Sequence, residues 1–215
     1  MDERIERASK AYKQAVFAGD TSALADAGHG LDAVGSDAAL ARGRLVHAAF
    51  LDDRSAVADP GELRLFERAA GLYHALGDER GEGEAQFWIG CFHQVIRGDH
   101  GSAGPALQRA GELARRADDR LTLSYVLRHL GIAEHAAGRL DQARELLEHS
   151  TMLRRELGFQ AGVAANLVGL AYIAAGQGRS RDSRDLLSEA YILASTSGAQ
   201  AIGSQIAEAR QHLAE

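Results

Sequence analysis

A set of residues recurs unchanged forty positions apart. Leu127, Leu130, Gly138, Arg139, Leu146, Leu147, Leu153 and Gly158 are matched by Leu167, Leu170, Gly178, Arg179, Leu186, Leu187, Leu193 and Gly198. Gly131 likewise meets Ala171, and Ser150 meets Ala190, small for small. A unit of this size cannot bury its apolar face alone and must stack on its neighbours. Within the unit the apolar residues keep helical spacing: Leu123, Leu127, Leu130 and Ala133 on one helix, then Leu140, Ala143, Leu147, Ser150 and Leu153 on the next. No segment alternates apolar and polar residues as a strand does. The expected fold is all-α, an α-solenoid of antiparallel helix pairs with about 11 helices.

The offset divides residues 36–198 into four units, 36–77, 78–118, 119–158 and 159–198. The third unit predicts helices over 120–137 and 139–157, broken at Gly138 and stopped at Gly158, and the fourth predicts them over 159–176 and 179–197. The second unit carries one extra residue. Gly90 lies 41 before Gly131, whereas Ala103 and Leu107 lie 40 before Ala143 and Leu147, and the sequence reading puts the insertion in the turn. In the first unit Ala41–Leu51 is the clearest helical stretch. Asp59, Pro60 and Glu62 read as a helix start, with Asp as cap, Pro at the first position and Glu closing back. The connector LDDRSAVADP is the longest expected loop. Residues 1–35 read as a degenerate hairpin, 2–18 and 21–34, split at Gly19–Asp20. Residues 199–215 read as a lone helix capping the end.

Charge and composition remove several functional classes. The net charge of −6 supplies no basic field for a nucleic-acid backbone, so direct nucleic-acid contact is not expected. No uninterrupted apolar run reaches bilayer length, and the charged start MDERIERASKAYKQ lacks the apolar stretch of a signal peptide. The expectation is a cytoplasmic protein without membrane contact. The one cysteine, Cys91, excludes an intramolecular disulfide and a multi-cysteine zinc site.

The recurring pattern resembles the tetratricopeptide repeat family over roughly residues 36–213. The resemblance rests on small residues at the eighth position of each first helix (Ala49, Gly90, Gly131, Ala171). Each second helix adds a small residue (Ala103, Ala143, Ser183), a large one (Leu107, Leu147, Leu187) and another small one (Ala110, Ser150, Ala190). The usual Trp early in the first helix is replaced by Gln86, Leu127 and Leu167, and the usual closing Pro is missing. The unit also exceeds the family's length of about 34 residues. It is similar to the long-repeat bacterial type found in signal-sensing regulators and to the repeats of cargo-binding light chains. The resemblance implies a right-handed solenoid whose first helices line a concave groove.

Counting groove positions from the small residues gives His47, Phe50 and Asp53 in the first unit and Phe87, Trp88, Cys91 and Gln94 in the second. The third gives Tyr125, Arg128, His129, Ile132 and His135, and the fourth Val168 and Tyr172. His47, Trp88 and His129 would form a ladder at one position. Trp, Tyr and Arg dominate binding energy where they are exposed. The functional expectation is a non-enzymatic scaffold that holds a protein or peptide partner in the groove, with Arg128 and the histidines taking a carboxylate or carbonyl. A ligand- or peptide-sensing module associated with a bacterial transcriptional regulator is the alternative, and a small-molecule-binding or enzymatic solenoid ranks below it. A homodimer through the ends of the stack is also open. The plainer reading is that Phe87 and Trp88 pack between repeats and that Cys91 is a buried small hydrophobe.

Nothing in the sequence calls for a cofactor or catalytic group. Cys91 and His93 are two apart on a helix and face different ways. His93, Asp99 and His100 flank a turn at a spacing that fits no zinc motif, and the glycines of GHGLDAVGS follow no strand. The pairs Arg115–Arg116 and Arg154–Arg155 and the run RSRDSR alternate with acids and read as solvated faces.

Overall fold

The computed structural model describes residues 1–53 and 59–213; part of the expected connector, 54–58, lies outside them. Among the described residues all regular structure is helical. The chain forms two compact units, Met1–Ala117 and Asp118–Glu215. The first holds α1 (Glu3–Ala18), α2 (Leu24–Asp52), α3 (Glu62–Leu76), α4 (Glu79–Cys91) and α5 (His100–Arg116). The second holds α6 (Arg120–Ala136), α7 (Leu140–Glu156), α8 (Gln160–Gly176), α9 (Ser180–Thr196) and α10 (Gln200–His212). Within each unit, helices pack against their neighbours in chain order, as in an α-solenoid.

The turns explain the periodicity. Gly77, Gly158 and Gly198 end second helices in the left-handed conformation, and Asp118 takes the same place at φ 51°. A non-glycine residue is strained there, and a short polar side chain tolerates it best. Asp78, Asp99 and Asp119 then cap the next helices through backbone N–H groups of Gly81, Ser102 and Thr122.

The described residues form ten α-helices, close to the expected number of about 11, and α2 runs 29 residues without a break. The expected boundary between the 21–34 helix and the first helix of unit one does not exist. Its glycines face neighbours instead of ending the helix: a Cβ on Gly35 would touch Leu72 at 3.4 Å, and one on Gly30 would touch Arg4 at 3.7 Å. Close approach of α1 and α3 thus outweighs the low helix propensity of glycine.

Two further expectations need correction. The extra residue of the second unit is not in the turn. It is absorbed where α4 continues as a π-helical segment, Phe92–Ile96, the usual result of one residue inserted into a helix. The helix start near Asp59 also differs. Asp59 Oδ1 does accept from the Gly61 N–H at 2.6 Å, but α3 begins at Glu62, whose carboxylate turns inward rather than back onto the cap.

In three of the four hairpins a large residue wedges onto a glycine; the fourth has Ala171 at that place. A Cβ on Gly90 would lie 2.6 Å from Leu107, and one on Gly131 would overlap Leu147. In the first hairpin the glycine doing this is Gly43, whose Cβ would meet the Phe66 ring at 2.5 Å, while Ala49 is exposed. The eighth position of the first unit is therefore Gly43, not Ala49. This moves His47 to the twelfth position, level with Gln94 and His135, and dissolves the His47–Trp88–His129 ladder as a single-position series.

Candidate functional site

Three helices of the first unit build one buried cluster. Gly43 lets Phe66 of α3 lie against α2, and the Phe66 ring stacks on Trp88 of α4 at 5.7 Å. His47 meets the Trp88 edge at 5.3 Å, Phe87 meets it at 5.2 Å, and the Arg44 guanidinium lies 5.8 Å from the ring centre. Of the expected groove residues, Phe87 and Gln94 are buried, as are His47 and Cys91 at 3 % and 4 % exposure. Trp88 is half-buried, Phe50 is half-buried and Asp53 is exposed. Trp88 is thus a packing residue of this unit with only part of its surface left to solvent.

Beneath Trp88 lies an acid–imidazole–thiol line that sequence spacing did not reveal. Glu62 Oε1 lies 2.7 Å from His47 Nδ1, and His47 Nε2 lies 3.7 Å from Cys91 Sγ. The order matches a nucleophile relay, but the environment opposes it. Burial, with the nearby Glu62 charge, pushes the Cys91 thiol up to about 12, so it stays protonated. Burial also raises the Glu62 carboxyl, only partly offset by its bond to His47, and its Oε2 is buried without a partner. A thiol held protonated in this way is a poor nucleophile. Beyond it, Asp99 caps α5 and His100 Nδ1 lies 3.3 Å from Gln94 Nε2, so the turn histidine is already engaged.

In the second unit the expected residues of α6 and α8 converge. Arg128, Ile132, His135, Val168 and Tyr172 line one cavity of about 220 Å³, floored by Leu147 and Ile173. Gly131 and Gly169 leave room for Leu147 to reach between the two helices; a Cβ on Gly169 would meet it at 2.6 Å. His135 is exposed, and Arg128, Ile132 and Tyr172 are half-buried. His129 and Tyr125 are half-buried and outside this lining; Tyr125 faces Phe159 at 5.9 Å.

Behind the cavity is a polar core built on Arg154. Arg154 is 1 % exposed, against the expectation of a solvated Arg154–Arg155 pair; only Arg155 follows it, bonding Glu189 at 2.7 Å. The Arg154 guanidinium lies 4.8 Å from the Tyr125 ring and 5.4 Å from that of Phe159. Its Nη1 donates to Gly162 O at 2.8 Å and Asn166 Oδ1 at 2.9 Å. Arg128 Nη1 donates to Ala165 O at 2.8 Å and to the same Asn166 Oδ1 at 3.1 Å. Asn166 Nδ2 donates to Ser150 at 2.8 Å and Thr151 at 3.2 Å. Among the described residues neither arginine has a carboxylate partner. Burial lowers both to about 10, Arg154 further through the charge of Arg128, so both remain cationic at neutral pH. The repeat held the signal for this core: Arg154 stands forty residues from Ala114 and Ala194, and Asn166 forty from Val126 and Ile206.

No protein-family model matches the chain, and no curated protein matches it in sequence. Among solved structures it is similar to BtubC (BKLC) from P. vanneervenii, at 15 % identity over 91 % of this chain and 90 % of that one, with a TM-score of 0.53. That likeness concerns the fold alone. Among the described residues no helix is long and apolar enough to cross a membrane.

Proposed function

We propose that the chain is a non-enzymatic scaffold of the long-repeat tetratricopeptide type that holds a peptide or protein segment against its first helices, in a cytoplasmic setting. The observation that carries this reading is the convergence of Arg128, Ile132, His135, Val168 and Tyr172 on one cavity between α6 and α8. These positions follow from counting along two helices, and the side chains combine apolar area, an aromatic ring and a cation, the mixture binding surfaces use. A peptide library displayed against the full chain tests the reading. Selected peptides should bind at least tenfold more weakly to Tyr172→Ala, measured by fluorescence polarisation. Equal binding to both proteins, or no enrichment, would count against it.

A further inference from the structure

The geometry points to the α6–α8 cavity as a site for a small apolar carboxylate, an acyl or arylalkyl acid whose anionic head meets Arg128 and whose body lies over Ile132, Leu147 and Val168. This goes beyond the peptide-holding reading and does not depend on it, since the cavity needs no docked segment to define its shape.

The argument starts from charge. Two guanidinium groups share one amide oxygen, Asn166 Oδ1, and their other acceptors are the backbone carbonyls of Ala165 and Gly162 and the Ser124 hydroxyl. Arg154 Nη2 is buried without a partner. A buried guanidinium and a half-buried one side by side, with only neutral acceptors, leave a local positive potential that an anion relieves. Of the two, only Arg128 lines the cavity. Its Nη1 is bonded, while Nε and Nη2 make no hydrogen bond among the described residues, which leaves one edge of the fork for a carboxylate.

The rest of the lining sets the ligand class. Ile132, Leu147, Val168 and Ile173 are apolar, and the two glycines contribute no side chain. A phosphate or dicarboxylate would place unpaired oxygens against these groups, whereas a monocarboxylate with an apolar body would not. Arg128 and His135 are seven residues apart on α6, about 10 Å of helix rise, which sets the length of the body. Tyr172 and His135 complete the lining.

The test titrates the full chain with octanoate and 3-phenylpropanoate, using octanamide as the neutral comparison, and follows methyl resonances of Ile132, Leu147 and Val168. Both acids should bind at least tenfold more tightly than the amide, with shifts concentrated on those methyls. Arg128→Gln should lose the preference for acid over amide. Ile132→Phe, which fills the cavity and leaves Arg128 in place, should lose both ligands. Equal affinity for acid and amide, shifts centred elsewhere, no binding of either acid, or unchanged acid binding in Arg128→Gln would overturn the proposal. Should Arg128→Gln fail to fold, the acid–amide contrast in the parent and the loss in Ile132→Phe decide. A null peptide selection alongside acid binding would remove the scaffold reading and leave this one standing.

Discussion

At the end of α9, Ala194 joins Ile206 of α10 in a continuous apolar cluster. One repeat earlier, the equivalent positions on α7 and α8 carry Arg154 and Asn166, both buried, with Ser124, Ser150 and Thr151 around them. The backbone plan is the same, yet one junction is closed by apolar contact and the other by a hydrogen-bonded network. Apolar closure is tolerant of small changes. A buried network is stable only while every member is present, because a lone survivor keeps its desolvation cost. The network also lies against the α6–α8 cavity, through Arg128, whereas neither Ala194 nor Ile206 lines it.

The sharpest break of this contrast is Asn166→Ala, which takes the shared acceptor from both guanidiniums and the donor from Ser150 and Thr151. Urea denaturation should show a loss of about 3 kcal/mol. Copying the terminal junction, with Arg154→Ala and Asn166→Ile together, should cost about 2 kcal/mol less than the two single changes summed, read from a double-mutant cycle. Strict additivity would mean that the residues do not act as a unit.

The first unit offers a second buried charge for comparison. The Glu62 carboxyl is raised by burial, so its contribution is complete at acid pH and is lost as pH rises through its elevated folded value. Glu62→Gln keeps an acceptor for His47 and removes the ionisation. It should stabilise the protein by on the order of 1 kcal/mol near neutrality. The gap in Tm between variant and parent should be wider at pH 8 than at pH 5. Smallest is Ser183→Ala. Ser183 is buried with an unpartnered hydroxyl where the earlier units carry Ala103 and Ala143. The change should be neutral or stabilising by at most about 1 kcal/mol in the same denaturation assay, since no network is lost.

Helix positions in the second unit were legible because identical residues recur there and a left-handed glycine follows each of α6 to α9. The first unit was less so, for physical reasons. Phe66 follows Gly43 by 23 residues, whereas Leu107 follows Gly90 by 17, so counting along the chain slipped while the wedge itself stayed intact. Gly28, Gly30 and Gly35 weaken a helix in isolation but do not end α2, which tertiary contact holds. Of the site, the α6 and α8 lining followed from helical counting. The Glu62–His47–Cys91 line joins three helices across 44 residues of chain and left no periodic trace. Arg154 was obscured by Arg155, its solvent-facing neighbour, although Leu147 and Ser150 place it on the inner face of α7.

The widened turn at Phe92–Ile96 carries a lesson about how such chains lengthen. A surplus codon in one rod is settled inside that rod, and Gly98 still falls 40 residues before Gly138. Duplicated hairpins can therefore drift in size independently, each correcting its own phase before handing the chain on.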